Sequence, residues 1–308
     1  MATGGTTAPQ LTAPTGPVAR KRRGAGRLRG DWLGVAPFFA YVLVFLGLPL
    51  YMVLHGAFTN ANGGLTFSNF SATFKYAQYP AAFRSSLILS AWTALIGAVF
   101  GTWFAAAVLT TSPRNPLRRV VTSASGVLAY FGGVPLAFLF IASLGTFGMV
   151  TLFFKNQLGI DLYAHGFTIT SLFGIGLTYC YFQVPLMVIL MTPALEGLQP
   201  QWREAVESLG GSQWSYLRHV AIPVLTPAFL ANLLVLFGNS FAAYATALAL
   251  VNGTVPLVPS LIQATLNGNV LVGQTNVGLA LGVEMIAVIM VVMILYGFIQ
   301  VRARRWQR

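Results

Sequence analysis

The chain has 308 residues, of which 56% are hydrophobic and only 8% charged, and its mean hydropathy of +0.72 lies outside the range of water-soluble domains. A soluble fold has no means of hiding so much apolar surface, which excludes a cytosolic enzyme or binding module. The net charge of +12 would suit a nucleic-acid binder if the basic residues gathered on one folded surface among aromatics. They flank apolar runs instead, so no nucleic-acid partner is expected and contact with membrane lipid explains the charge.

Residues 1–30, rich in Ala, Thr, Gly and Pro and then in Arg, cannot bury a core and are expected to form a disordered, basic cytoplasmic tail ahead of a transmembrane domain over 31–308. Six apolar runs follow, at about 33–55, 85–110, 120–143, 168–192, 223–250 and 277–300. Each is long enough for a hydrocarbon layer of about 30 Å, which takes roughly 20 helical residues. Backbone amides in lipid must be satisfied within their own segment, and the alternating pattern of a barrel is missing. The fold class is therefore all-α, a polytopic membrane protein with six transmembrane helices. The first run is too long for a cleaved signal peptide and has no small-residue cleavage site after it, so it is expected to stay as an anchor.

With both termini in the cytoplasm, every Lys and Arg falls on the inner side except Lys75, Arg84 and Lys155, which fixes the expected orientation. The longest outer segment then runs from about Gly56 to Phe83 and holds the turn-forming stretch Asn60 to Gly64. Thr146 to Ile160 is amphiphilic and expected to lie along the outer membrane surface. Cys180 stands alone in the fourth run, and His55, His165 and His219 are scattered, so no metal site and no catalytic residues are expected. None of Lys21, Lys75 and Lys155 follows a glycine, so there is no phosphate-binding loop of the GxxxxGK type. The chain is expected to be no enzyme and to bind no cofactor; active transport would need ATP used by another polypeptide.

Between the fourth and fifth runs, a polar loop over 193–222 interrupts the apolar pattern. Its stretch Glu204 to Pro223 reads EAVESLGGSQWSYLRHVAIP. Ala205, Ser208 and Leu209 share one helical face by i, i+3, i+4 spacing, with Glu204 and Glu207 on a neighbouring, solvated face. Gly210 and Gly211 are expected to end this short helix. A second short helix is expected over Gln213 to Val220, with Pro223 opening the fifth span. The order Glu-Ala-Val, Gly210, then Val220, Ile222 and Pro223 resembles the EAA loop of permease subunits of binding-protein-dependent ABC importers. That pattern has Glu-Ala-Ala, three residues, Gly, nine residues and Ile-x-Leu-Pro; Val206, Val220 and Ile222 depart from it conservatively.

The resemblance extends over about residues 80 to 300, including Gly145, Gly148, Leu158-Gly159 and the stretch Tyr181 to Pro193. It implies a type I ABC importer permease fold in the bacterial plasma membrane. It also implies three kinds of partner: a cytoplasmic ABC ATPase dimer, a second homologous permease or another copy of this one, and an extracytoplasmic solute-binding protein. Glu204, Ala205, Glu207, Ser208, Leu209, Gly210 and Pro223 would form the coupling element toward the ATPase. FGNSFAAYATALAL, Phe237 to Leu250, is similar to permeases of the polyamine, iron(III) and phosphonate branch, which makes a polyamine such as spermidine or putrescine the first expectation and sugar, iron(III) or phosphonate the alternatives. Its small residues also suit close helix packing.

Intramembrane polar residues are the candidates for a solute path. Gln183 shares a helical face with Tyr179, Asn239 shares one with Asn232, Tyr244 follows in the same run, and Glu284 is a carboxylate inside the sixth span. Each is equally readable as an interhelical hydrogen-bonding group. An ion-coupled secondary transporter is the rival class; it would show inverted repeats with paired broken helices and several intramembrane carboxylates, of which Glu284 alone is present.

Overall fold

The computed structural model describes residues 28–60, 62–112, 114–251, 254–267 and 275–306, with helix backbone alone at 28–34 and 303–306. Two units divide the chain, Met1–Leu50 and Tyr51–Arg308. In the first, α1 (Leu28–Val42) passes through a π-helical turn, Leu43–Gly47, into the start of α2 (Leu48–Ala57), most of which belongs to the second unit. Phe38, Phe39, Phe45 and Leu46 are exposed, and the rings of Tyr41 and Phe45 stack at 4.6 Å, as befits a segment solvated by acyl chains. Residues 1–27 of the expected tail lie outside the described residues, whereas Leu28 to Gly30 already belong to α1.

The second unit continues with α3 (Ser68–Lys75), α4 (Gln78–Leu109), α5 (Pro116–Tyr130), α6 (Gly133–Leu144), α7 (Met149–Leu158), α8 (Leu172–Glu196), α9 (Pro200–Ser208), α10 (Gln213–Tyr216), α11 (Ile222–Ala242), α12 (Ala245–Val251), α13 (Val258–Leu266) and α14 (Thr275–Trp306). Among the described residues there is no strand, only an isolated bridge between Thr59 and Leu65. That bridge closes the predicted turn: Asn60 Oδ1 accepts from the backbone of Asn62 at 3.0 Å and of Gly64 at 2.8 Å. Six helical stretches among the described residues are long and apolar enough to cross a membrane: Val35–Ala57, Gln78–Leu109, Gly133–Leu158, Leu172–Glu196, Gln213–Ala242 and Thr275–Arg302. The all-α, multi-pass class holds.

Three boundaries differ from the sequence expectation. The second span starts at Gln78 rather than near 85, because Gln78, Tyr79 and Arg84 carry the helix out beyond its apolar part. The run at 120–143 is not one helix: α5 stops at Tyr130 and α6 starts at Gly133. Gly133 has φ +76, a conformation that suits glycine, and Pro135 would crowd the carbonyl of Phe131 in any continuous helix while being tolerated in the first turn of α6. The run at 223–250 likewise breaks at Ala243–Tyr244, and it begins earlier than expected. The second short helix does not stand apart, since α10 passes through a π turn, Leu217–Ala221, directly into α11. There Ile222 N–H bonds back five residues to Leu217 O, and the widened turn absorbs Pro223, which has no N–H to give.

The core is organised about α4 and α8. Gly97 and Gly101, spaced i, i+4 on α4, bring the two backbones together: a Cβ on Gly97 would lie 2.7 Å from Gln183 Cβ, and one on Gly101 2.7 Å from the Val184 carbonyl oxygen. Ala94, Ala98 and Ala105 fill the same seam, the small-residue packing that lets membrane helices gain dispersion contact. One apolar cluster gathers Leu89, Leu136, Ile175 and Tyr179; a second gathers Ala98, Met187, Met191 and Leu236 on α4, α8 and α11.

Candidate functional site

Two regions carry polar chemistry. In the first, Pro200 opens α9 at its first turn, where its missing N–H costs nothing. Three turns later the helix stops in a Schellman arrangement: Gly210 N–H bonds Glu207 O at 3.0 Å and Gly211 N–H bonds Val206 O at 2.9 Å, with Gly210 at φ +75. A β-carbon at Gly210 would strain this left-handed position by about 1 kcal/mol, and one at Gly211 would lie 2.6 Å from Val206 Cγ1. Arg203 Nε bonds Glu207 Oε1 at 2.8 Å, and Ser208 Oγ donates to Glu204 O at 2.9 Å. Ser212 then caps α10 by accepting from Ser215 N.

No residue of α9 is buried. Glu204, Ala205, Glu207 and Ser208 are all exposed, Leu209 is 89% exposed and Trp214 65%. A segment this charged is unfit for lipid, and its bare Leu209 and Trp214 are costly in water. Pro223, exposed as well, stands inside the helix that leaves this region.

The second region lies at bilayer depth. Gln183, in the middle of α8 and fully buried, donates from Nε2 to Leu236 O at 2.8 Å and accepts at Oε1 from Asn239 Nδ2 at 3.3 Å. The structure thus joins two of the predicted path residues directly. Asn239 itself is exposed. Asn232 donates to Leu190 O at 3.1 Å, and Tyr179 OH donates to Ala243 O at 2.8 Å, at the break in the fifth span. Tyr244 bonds Gln263 of α13. Glu284 is separate from these: half-buried on α14, it accepts from Thr73 Oγ1 of α3 at 2.7 Å.

Sequence reasoning missed Thr246. Its hydroxyl accepts from Gly133 N at 2.8 Å and donates to Gly133 O at 3.2 Å, so it ties the start of α6 to α12 and joins the two helix breaks. The breaker pair Gly132-Gly133 with Pro135 was the available signal for one of them; no local signal marks Ala243–Tyr244. A buried contact between Thr93 and Ser240 hydroxyls at 2.9 Å links α4 to α11 one turn below that break. Just beyond the third of the membrane-crossing stretches, Asp161 pairs with Lys155 at 2.8 Å, which holds its carboxyl below the usual carboxylate range, helped by the Ala164 and Tyr163 amides. Among the described residues no cluster of His, Cys, Asp or Glu is arranged to hold a metal ion.

No protein-family model matches the chain. It is similar to the spermidine/putrescine transport system permease protein PotC homolog of Mycoplasma pneumoniae, 28% identical over 237 residues, which are 72% of this chain and 77% of that protein. The corresponding Mycoplasma genitalium protein is 26% identical over 235 residues, 72% of this chain and 76% of the relative. A shorter match, 32% over 71 residues, covers 23% of this chain and 26% of the sulfate transport system permease protein CysT of Escherichia coli. Among solved structures, a bacterial alginate ABC transporter in complex with alginate pentasaccharide-bound periplasmic protein has a chain that superposes with a TM-score of 0.67 at 18% identity, over 92% of this chain and 99% of that one. Six helical stretches able to cross a membrane among the described residues, with one exposed, helical loop before the fifth, define a polytopic membrane protein. Fold and relatives agree more narrowly: the chain shares the fold of a chain of that ABC transporter, and the relatives that match it over most of its length are transport-system permeases.

Proposed function

We propose that the chain is the membrane subunit of an ATP-driven importer in a bacterial plasma membrane, both termini cytoplasmic, that takes up a small solute handed over by an extracytoplasmic binding protein. The observation that carries this reading is the exposed module of α9 and Gly210, set directly before a helix that continues without a stop from Gln213 to Ala242. A cytoplasmic ATPase dimer docks on Glu204, Ala205, Glu207, Ser208 and Leu209. Movement of this module reaches Asn239 and the break at Ala243 through one rigid rod. A second permease, homologous or identical, completes the path. The chain performs no bond chemistry, and the energy comes from ATP hydrolysed on the partner ATPase.

The solute is a polyamine of the spermidine or putrescine kind. Its support is the similarity to the Mycoplasma proteins, 28% identical over 72% of the chain in the better case, with a probable sulfate permease of Helicosporidium following at 26% over 71%; the alginate transporter's likeness concerns the fold. Gln183, Asn239, Tyr244 and Glu284 are the path residues of this reading, with Glu284 the carboxylate for an amine. Paired helix breaks also occur in ion-coupled carriers, but Glu284 is the one Asp or Glu of the sequence that falls inside a span away from its ends. Glu204→Lys and Gly210→Asp are expected to abolish uptake and loosen the ATPase from membranes while the permease still inserts. Normal uptake with normal ATPase retention in both variants contradicts the docking assignment.

A further inference from the structure

Arg118 pairs with Glu196 at the end of α8, and the Phe131 ring meets that of Tyr181 at 6.4 Å, so α5 climbs along α8 to near its middle. At 1.5 Å per residue, Phe131 stands about 20 Å above Arg118, deep within a hydrocarbon layer of about 30 Å. At this depth α5 ends. Phe131 N–H takes the Leu128 carbonyl, Gly132 N–H the Tyr130 carbonyl, and Gly133 N–H the hydroxyl of Thr246. The other carbonyls of the last turn lose their helical donors. Tyr130, beside them, is 85% exposed.

Irregular backbone with open carbonyls is tolerated at membrane depth only under protein or along water. The exposed stripe below the break points to water. It runs through Val120, Ser123, Ala124 and Val127, with Ser123 its polar member and two small residues at its centre. The outward stripe of α14, by contrast, is Met290, Ile294 and Phe298, fully apolar as lipid demands. We infer that this face of α5 is a wall of the solute path and that Tyr130 is a specificity residue contacting a cationic group of the solute. An aromatic ring attracts cations. The start of α6 lies two residues on and offsets the charge of the α5 end, so the ring of Tyr130 is the selecting feature; Gly133 N–H is occupied by Thr246, and α5 has no basic residue above Arg119. The solute half of the inference rests on the importer reading; the water-lined wall does not.

Thiol labelling of the assembled importer in lipid vesicles tests both halves. On a Cys180→Ser background, Tyr130→Cys and Val127→Cys are compared with Ser112→Cys in an exposed loop and Leu295→Cys on the lipid face, using permanently charged methanethiosulfonates on both sides. Both path positions should react near the Ser112→Cys rate, and Val127→Cys, one turn from the intact Tyr130, should prefer the cationic over the anionic reagent several-fold relative to a free thiol in solution, about what a cation near an aromatic ring gains at an exposed site, a preference that an added Tyr130→Leu removes. Labelling no faster than at Leu295→Cys, whether lipid or a dry subunit contact covers the face, overturns the wall. A preference at Val127→Cys that is absent, or that survives Tyr130→Leu, overturns the assigned role of Tyr130. Labelling needs no transport, so failure of the importer reading would appear separately, as absent ATP-driven uptake by the unmodified protein.

Discussion

Gly101 sets how closely the two central helices approach. Its missing side chain lets the Val184 carbonyl and Met187 come against the backbone of α4, and the loss of that approach propagates because Gln183, one turn along, bonds the Leu236 carbonyl of α11. Gly101→Leu should therefore cost about 2 kcal/mol or more, the scale of overpacking against a backbone that cannot yield. The check is thermal unfolding in detergent, where an unchanged transition would contradict the packing. Gln183 contributes less: interhelical hydrogen bonds in membranes average about 0.6 kcal/mol. Its value is in fixing Asn239, whose exposed amide it holds at bilayer depth.

The two helix breaks form one element, because Thr246 on α12 serves both the N–H and the carbonyl of Gly133 on α6. Thr246→Val keeps the shape and removes both bonds; leaving the Gly133 groups unpaired is expected to cost about 1–3 kcal/mol, read as a lowered unfolding midpoint. Thr246→Ser, which keeps the hydroxyl, should restore most of it, and equal losses in the two variants would refute the tie. Much of this architecture was legible in the residues. Runs of apolar side chains placed five of the spans because lipid admits little else, while the third falls at Gly133–Leu158 and takes in most of the stretch from Thr146 expected on the outer surface; the Glu204 to Pro223 spacing located the exposed loop and its left-handed Gly210. The break at Ala243–Tyr244 was hidden by the same apolar signal, whereas Gly132-Gly133 and Pro135 marked the other. Tyr130-Phe131 and Ala243-Tyr244 are as hydrophobic as their neighbours, and what stops the fifth span is tertiary, the hydroxyl of Tyr179 on the Ala243 carbonyl. The π turn at Leu217–Ala221 was equally silent, and it turned an expected separate helix into the foot of a span.

For the molecule as a whole, the distribution of Lys and Arg predicts a reporter fused after Arg308 in the cytoplasm and a tag at Asn62 accessible from outside. Finding both on one side would rule out six spans with this orientation. The permease class and the proposed polyamine cargo together make a stronger demand. The chain, reconstituted into vesicles with its partner permease, ATPase and binding protein, should accumulate spermidine or putrescine only when ATP and the solute-loaded binding protein are supplied, and should continue to do so after ion gradients are collapsed. Uptake that ignores ATP and follows a proton or sodium gradient would contradict the account.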